Sequence, residues 1–344
     1  MDSGPHEPAA DRSRRPTQVD VAVAAGVSRA LVSLVMRDAP SVAPGTRDRV
    51  LAAARTLGYR PNALARSLAQ GQSRTVGTLI YDVTNPHLGA VYAAFARAAD
   101  AHGIQLLVAN GLRSAAREPD LVDTLLEHQI AGLALLSPTM HEDRIAEIAA
   151  ATPVVVIGRE ASVSGIDVVT LDEDLAAQAI LGHLTTLGHA RIAHITGGRD
   201  NRPGLDRAAA YRRAMRRLGL TPIVVPGAFT PDGGAAGARA LCALPELPTA
   251  VIAGNDLTAV GAMGQFASLG LRVPEDVSVV GYDDSQIARL DLIGLTTIRQ
   301  PVDWFGELGA TMILERMAGR RFGSRIERGE PTLVLRRTTA APAR

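Results

Sequence analysis

Apolar positions recur along this chain with two different periods, and the change falls near Thr75. Before it, from Thr17 to Leu68, they sit three and four apart in short stretches, the spacing of one helical face. Val19, Ala22 and Val23 make the first stretch, Leu31, Val32 and Val35 the second, and Val50, Leu51, Ala54 and Leu57 the third. The breaks between them carry capping chemistry. Thr17 with Asp20 forms a capping-box pattern, Gly26 permits a tight turn, Ser28 caps a second helix, Pro44 opens a third running Thr46 to Leu57, and Gly58 ends it. An extended link and a fourth short helix at 62–68 follow. After Thr75, buried apolar runs alternate with amphipathic helices. Strands are expected at 76–80, 104–109, 132–136 and 154–157, and helices at 88–102, 120–129 and 145–150. The rhythm restarts with helices at 175–187, 207–218, 235–243, 258–269 and 304–318 and strands at 191–195, 223–225, 250–253, 278–282, 296–299 and 332–336. Such alternation predicts α/β architecture: two lobes of doubly wound parallel sheet behind a small helical headpiece.

Two helices joined by a glycine turn read as a helix-turn-helix or as an ordinary αα-hairpin, and charge bears on the choice. Residues 12–74 hold 11 Arg against 3 Asp, a net +8, whereas the whole chain is +1. A basic end on a mildly acidic body is the footprint of a nucleic-acid-binding module. All 36 basic residues are arginine, on every surface, so that bias carries no mechanism. The single Cys242 excludes an intramolecular disulfide and fits a reducing cytoplasm. Residues 1–16 have no apolar core and are expected to be a disordered tail, not a secretory signal, and no apolar run reaches 18 residues.

Several ordered motifs then make one resemblance specific. Asp20-Val21-Ala22, Ala25-Gly26-Val27-Ser28, Val32-Ser33, Thr46-Arg47-Asp48-Arg49-Val50, Leu57-Gly58-Tyr59-Arg60-Pro61-Asn62-Ala63 and Ala65-Arg66-Ser67-Leu68 resemble the headpiece and hinge helix of the lactose-repressor (LacI/GalR) family. The likeness runs on to about Arg337, through Leu187-Gly188-His189, Asn255-Asp256-Leu257, Val279-Val280-Gly281-Tyr282-Asp283-Asp284 and Ile298-Arg299-Gln300-Pro301. It implies a helix-turn-helix headpiece at 17–60, a hinge helix and linker at 61–74, and a periplasmic-binding-protein-like body at 75–340. Lobe 1 would be about 75–172 plus 302–330, and lobe 2 about 173–301 plus 331–338.

The resemblance also implies sites. Arg29 and Ala30, at the start of the second helix, would reach base edges, or Arg29 would be a solvated charge. Thr17, Ser28, Ser33 and Thr46 would bond phosphates. Leu34 stands where family members often carry a polar or arginine base reader, and either touches a thymine methyl or packs. In the hinge, Asn62, Ala65 and Arg66 would contact DNA and Leu68 would wedge into the minor groove, or pack on the body. For an effector the resemblance points to Arg207, with Asn255, Asp256, Asp283 and Gln300 at strand ends, Asn85, His87 and Leu88 after the first strand, Arg159 after the fourth, and Phe229 against a ligand ring. Arg207 and Asp283 could instead be a structural ion pair. His87 departs from the aromatic common there, and Gly158 leaves no acid beside Arg159.

No P-loop, GxGxxG after a strand, HExxH, CxxC or GxSxG is present, and Gly233-Gly234-Ala235-Ala236-Gly237 resembles a phosphate loop only superficially. No catalytic residue, metal or cofactor is expected. The expectation is a cytoplasmic, nucleoid-associated transcription regulator, most simply a repressor, that binds a pseudo-palindromic double-stranded operator as a homodimer. A small effector, a sugar or its derivative, would switch it. A nucleobase effector, a sugar-binding transport receptor and an α/β enzyme with a DNA module are the alternatives.

Overall fold

The caps set the first three helices. The computed structural model describes residues 16–59, 73–199, 201–320 and 323–343, and in it α1 spans Gln18–Ala25, α2 Arg29–Met36 and α3 Pro44–Thr56. The Thr17 N–H donates to Asp20 Oδ2 at 2.7 Å while the Asp20 N–H donates to Thr17 Oγ1 at 3.4 Å, which satisfies two otherwise orphaned helix-start donors. Gly26 ends α1 in the left-handed conformation (φ +65°), and α2 leaves at 105° to α1. Ser28 Oγ accepts the Leu31 N–H at 3.2 Å. Val21, Val32 and Val50 have no exposed surface and, with Val35, Val42 and Ala54, form a small core. Burying each such valine contributes roughly 1.5–3 kcal/mol. Arg47 fastens the loop into α3, donating to the Ala39 carbonyl at 2.6 Å and pairing with Asp38.

The phase of α1 differs from the sequence reading. Val19 and Val23 are 53% and 78% exposed while Val21 and Ala22 are buried, and Leu57 also faces out. α1 is apolar on nearly every side, so spacing alone could not select the inner face.

The chain forms two compact units, divided between Ser73 and Arg74. The second unit holds two six-stranded sheets. In one, β1 (Thr75–Ile80), β2 (Gln105–Asn110), β3 (Gly132–Leu136), β4 (Val154–Ile157), β5 (Asp167–Leu171) and β11 (Arg325–Gly329) lie in the order β11-β5-β4-β3-β1-β2, all parallel. In the other, β6 (Ile192–Ile195), β7 (Ile223–Val225), β8 (Ala250–Ala253), β9 (Ser278–Asp283), β10 (Thr296–Arg299) and β12 (Thr332–Val334) lie in the order β12-β10-β9-β8-β6-β7, parallel except that β12 runs against β10. Alternate residues of β3 and β4 enter opposite cores, Ala134, Leu136, Val155 and Ile157 on one side and Leu133, Leu135, Val154 and Val156 on the other. A strand buried on both faces must be apolar throughout, hence the continuous runs.

Helices α4 (Pro86–Ala101), α5 (Glu118–Glu127), α6 (Glu142–Ala149) and α11 (Val302–Met317) cover the first sheet. Helices α7 (Glu173–Thr186), α8 (Arg202–Arg217), α9 (Pro231–Cys242) and α10 (Asp256–Ser268) cover the second. The chain crosses between sheets three times, after β5, after β10 and after β11. The crossings lie together: the Asp172 N–H donates to the Gly329 carbonyl at 3.1 Å, and a Cβ at Gly329 would lie 2.8 Å from the Pro301 ring. β5 and β11 were not expected from the sequence. The 233–237 glycines are the first turns of α9, where a Cβ on Gly234 would lie 1.9 Å from the Thr258 carbonyl, and one on Gly261 of α10 would lie 1.8 Å from that of Pro231. Their smallness serves helix packing.

Asp167, fully buried on β5, takes a two-pronged bond from Arg316 of α11, at 2.9 and 3.0 Å. Arg316→Met should lower body stability by about 3 kcal/mol, because it removes the two-pronged charge-assisted bond from a buried carboxylate. Urea unfolding followed by tryptophan fluorescence measures this, and a loss below about 1 kcal/mol would show the pair to be dispensable.

Candidate functional site

The headpiece offers one candidate surface. Arg29 and Ala30 are exposed in the first turn of α2, and Ser28 is exposed while its hydroxyl caps the helix. Thr17, Ser33 and Thr46 are half-buried. Leu34 is half-buried too, with part of its side chain against the headpiece core. Asn62, Ala65, Arg66 and Leu68 lie outside the described residues.

The second site is a cavity between the sheets of the body, lined by Tyr81, Asn85, His87, Leu88, Ser137 and Gly158 from the first lobe and Asn201, Pro203, Arg207, Phe229 and Asp283 from the second. Local chemistry explains several positions. Asn85 caps α4, accepting the His87 N–H at 2.9 Å, and Asn201 caps α8, accepting the Gly204 N–H at 2.9 Å. Tyr81 and Ser137 directly follow β1 and β3, at the carboxyl ends where ligands of parallel sheets bind.

Arg207 is the centre of the second wall. It is 8% exposed, its Nη1 donates to the Gly254 carbonyl at 2.8 Å, and its guanidinium lies 3.8 Å from the Tyr282 ring centre and 5.3 Å from that of Phe229. Glu173 stands 3.3 Å away and Asp283 3.7 Å, so the ion-pair alternative is present, with a second carboxylate as well. The Tyr282 hydroxyl donates to Glu173 Oε2 at 2.6 Å. Burial pulls Arg207 down, but Glu173 and Asp283 overcome it and hold the guanidinium firmly charged. Burial pushes Glu173 up and lifts Asp283 to about 6. Burial also drops His87 to about 3, with Arg207 adding to the effect, so the imidazole stays neutral.

Behind the wall the backbone is under strain: Asp283 (φ 113°) and Asp284 (φ 50°) both occupy the left-handed region. Side-chain contacts from several directions hold it. Gln300 donates to Asp283 Oδ1 at 2.7 Å, Arg299 and Arg336 donate to the buried Asp284 carboxylate at 2.7 and 2.6 Å, and Asp256 Oδ2 accepts the Ser285 N–H at 2.7 Å. Asp256 Oδ1 also accepts the Thr297 hydroxyl at 2.6 Å.

The structure thus brings Asn85, His87, Leu88, Arg207, Phe229 and Asp283 to one cavity. Gln300 and Asp256 stand behind it as supports. Asn255 caps α10, accepting the Thr258 N–H at 2.9 Å, and Arg159 lies next to the lining residue Gly158. Sequence reasoning missed Glu173, Tyr282, Tyr81, Ser137 and Asn201. The strand-end rule could have found Tyr81 and Ser137.

Known proteins share both parts. A profile described as bacterial regulatory proteins, lacI family, matches residues 17–62, and one for a periplasmic binding protein-like domain matches residues 181–339. The HTH-type transcriptional repressor CytR of Escherichia coli K12 is 31% identical over 329 residues, 94% of this chain and 96% of that protein. The ribose operon repressor of the same strain is 34% identical over 331 residues, 95% and 97% of the two chains. The chain belongs to the lacI family of bacterial regulatory proteins. The LacI-family fold is also seen in the lac repressor dimer bound to operator and the anti-inducer ONPF, with a TM-score of 0.83 at 28% identity over 95% of this chain and all of that one. A transcriptional regulator CelR–cellobiose complex gives 0.70 at 31% identity over 94% and all of the two chains. Membership makes this LacI-family protein a ligand-responsive, DNA-binding transcription regulator and not an enzyme. Among the described residues no single helix is long and apolar enough to cross a membrane, and α1 with α2 passes that test only across their bend.

Burial, with Asp283 adding to it, lifts Asp256 to about 7. An aspartate whose folded pKa is raised binds more protons folded than unfolded, so its contribution to stability falls as pH rises from about 4 to about 7. Asp256→Asn cannot ionise. Its stability relative to wild type should therefore shift in its favour by at least about 1 kcal/mol between pH 5 and pH 8, read from urea midpoints. A difference independent of pH would falsify the buried, proton-holding carboxyl.

Proposed function

We propose that this regulator is a cytoplasmic, nucleoid-associated repressor that binds a pseudo-palindromic operator as a homodimer, with affinity switched by a sugar or sugar derivative in the inter-lobe cavity. The observation that carries the effector reading is Arg207. A charged guanidinium lies against an aromatic ring in a cavity wall beside Asp283 and Asn85, the set that holds a polyhydroxylated ring through donors, acceptors and an apolar face. The relatives agree in kind, since one is named for ribose and another was solved with cellobiose. A nucleobase effector is the second reading, since the same donors, acceptors and aromatic face suit a flat heterocycle. In the headpiece, Arg29 and Ala30 would read bases, and Thr17, Ser28, Ser33 and Thr46 would meet phosphates. Asn62, Ala65, Arg66 and Leu68 keep the hinge role assigned by resemblance. The three adjacent crossings give the lobes a hinge, so effector binding would change their angle and with it the operator affinity.

Fluorescence anisotropy on the gene's own upstream DNA tests both ends. Operator affinity should fall with salt at a log–log slope of about −0.9 per phosphate neutralised, and Arg29→Ala should cost about 1–3 kcal/mol on the operator but little on random DNA. A flat salt response sinks the DNA reading. Phe229→Ala should leave operator affinity intact and weaken the response to an active sugar. A variant that responds like wild type would remove Phe229 from the site.

A further inference from the structure

Most of the positive charge at the basic end of this chain lies beside the folded headpiece and not in it. The described headpiece, residues 16–59, holds five arginines and three aspartates, a net of +2. One of the five, Arg47, is taken up inside the fold by Asp38 and the Ala39 carbonyl. The other +6 of the +8 carried by residues 12–74 flanks the headpiece: Arg12, Arg14 and Arg15 precede it, and Arg60, Arg66 and Arg74 follow it. Of these six, all but Arg74 lie outside the described residues.

Charge in the first fifteen residues is sorted. Asp2, Glu7 and Asp11 put −3 on residues 1–11, and the three arginines of 12–15 cancel it. The segment as a whole is neutral, but its basic end is the one joined to the headpiece, directly before Pro16 and Thr17. Solubility is served as well by interspersed charges, so it does not account for that order. Phosphate binding does. The salt-dependent part of DNA affinity grows with the number of phosphates that arginines neutralise, and a folded headpiece of +2 is poorly provided for it. The junction itself is fixed, since the Thr17 N–H and hydroxyl both donate to Asp20 Oδ2, at 2.7 Å each. From Thr17 back to Arg12 the chain spans at most about 17 Å. Phosphates recur about every 3.4 Å along one strand of a duplex, so several lie within that reach.

We infer that Arg12, Arg14 and Arg15 form a DNA-binding arm that grips the phosphates flanking the half-site read by α2. The inference rests on the DNA reading above. Phosphate contacts position a protein without reading sequence, so the arm adds affinity and no base preference.

Salt titrations of the full-length protein on the gene's own upstream DNA and on a random duplex, read by fluorescence anisotropy, test this. In a variant carrying Arg12→Ala, Arg14→Ala and Arg15→Ala, the log–log slope should become shallower by about 0.9 for each arginine that meets a phosphate, or about 2.7 per protomer for all three. Both duplexes should lose affinity by similar factors, so the preference for the operator stays. Lysine at the same three positions should keep the slope. Adding Asp2→Asn, Glu7→Gln and Asp11→Asn to the alanine variant restores the net charge and should not restore the slope. An alanine variant with the wild-type slope overturns the arm and leaves the DNA reading standing, as does a slope that returns with net charge alone. A lysine variant that loses as much as the alanine variant also overturns it. So does a loss confined to the operator, since the three would then be reading bases. A wild-type protein without salt dependence removes the arm and the DNA reading together.

Discussion

The body is constrained above all by its three chain crossings, which lie side by side and, among the described residues, carry the chain between the two sheets. β5 and β11 pair in register, Leu171 opposite Gly329, and the Asp172 N–H reaches back to the Gly329 carbonyl, so two crossings are hydrogen-bonded to each other. Pro301 fills the space beside Gly329 at the third. The site grows out of these crossings. Glu173 is the first helical residue after one, and Gln300 is the last residue before Pro301 at another. The first pairs with Arg207 and the second holds Asp283. A change of angle between the two sheets would therefore be felt at the two side chains that keep the central guanidinium and its carboxylate in place.

Arg207 itself is affordable only in this company. A single buried charge costs several kcal/mol, which the Coulomb attraction of one partner does not reliably return. Here two carboxylates, a carbonyl and two aromatic faces surround it. The carboxylates bear the other side of that arrangement: Glu173, Asp283 and Asp256 are all shifted toward the proton-holding form by burial. The left-handed backbone at Asp283 and Asp284 persists because arginines, Gln300 and Asp256 hold it from several directions.

Much of this was legible in the sequence, for identifiable reasons. Capped helices and doubly buried strands announce themselves by local pattern, and the pocket residues Arg207, Asp283 and Phe229 came from a resemblance spread over many motifs. What was not legible is either polar or non-local. β11 reads Arg-Ile-Glu-Arg-Gly because it is an edge strand, where charge discourages pairing with other chains. Glu173 and Tyr282 lie 34 and 75 positions from Arg207, and nothing local to either tells that they meet it. Val19 and Val23 misled because an apolar residue on a small domain is not bound to face inward.

The contact between α9 and α10 has a mechanical meaning. Where Gly234 and Gly261 let two backbones touch, no side chain intervenes to change rotamer or slide, and the separation of the helices is set by main-chain atoms that barely compress. That half of the body is in effect a stiff lever. A displacement of one of the two helices must therefore move the other with it, because the contact has no side chain through which it could be taken up.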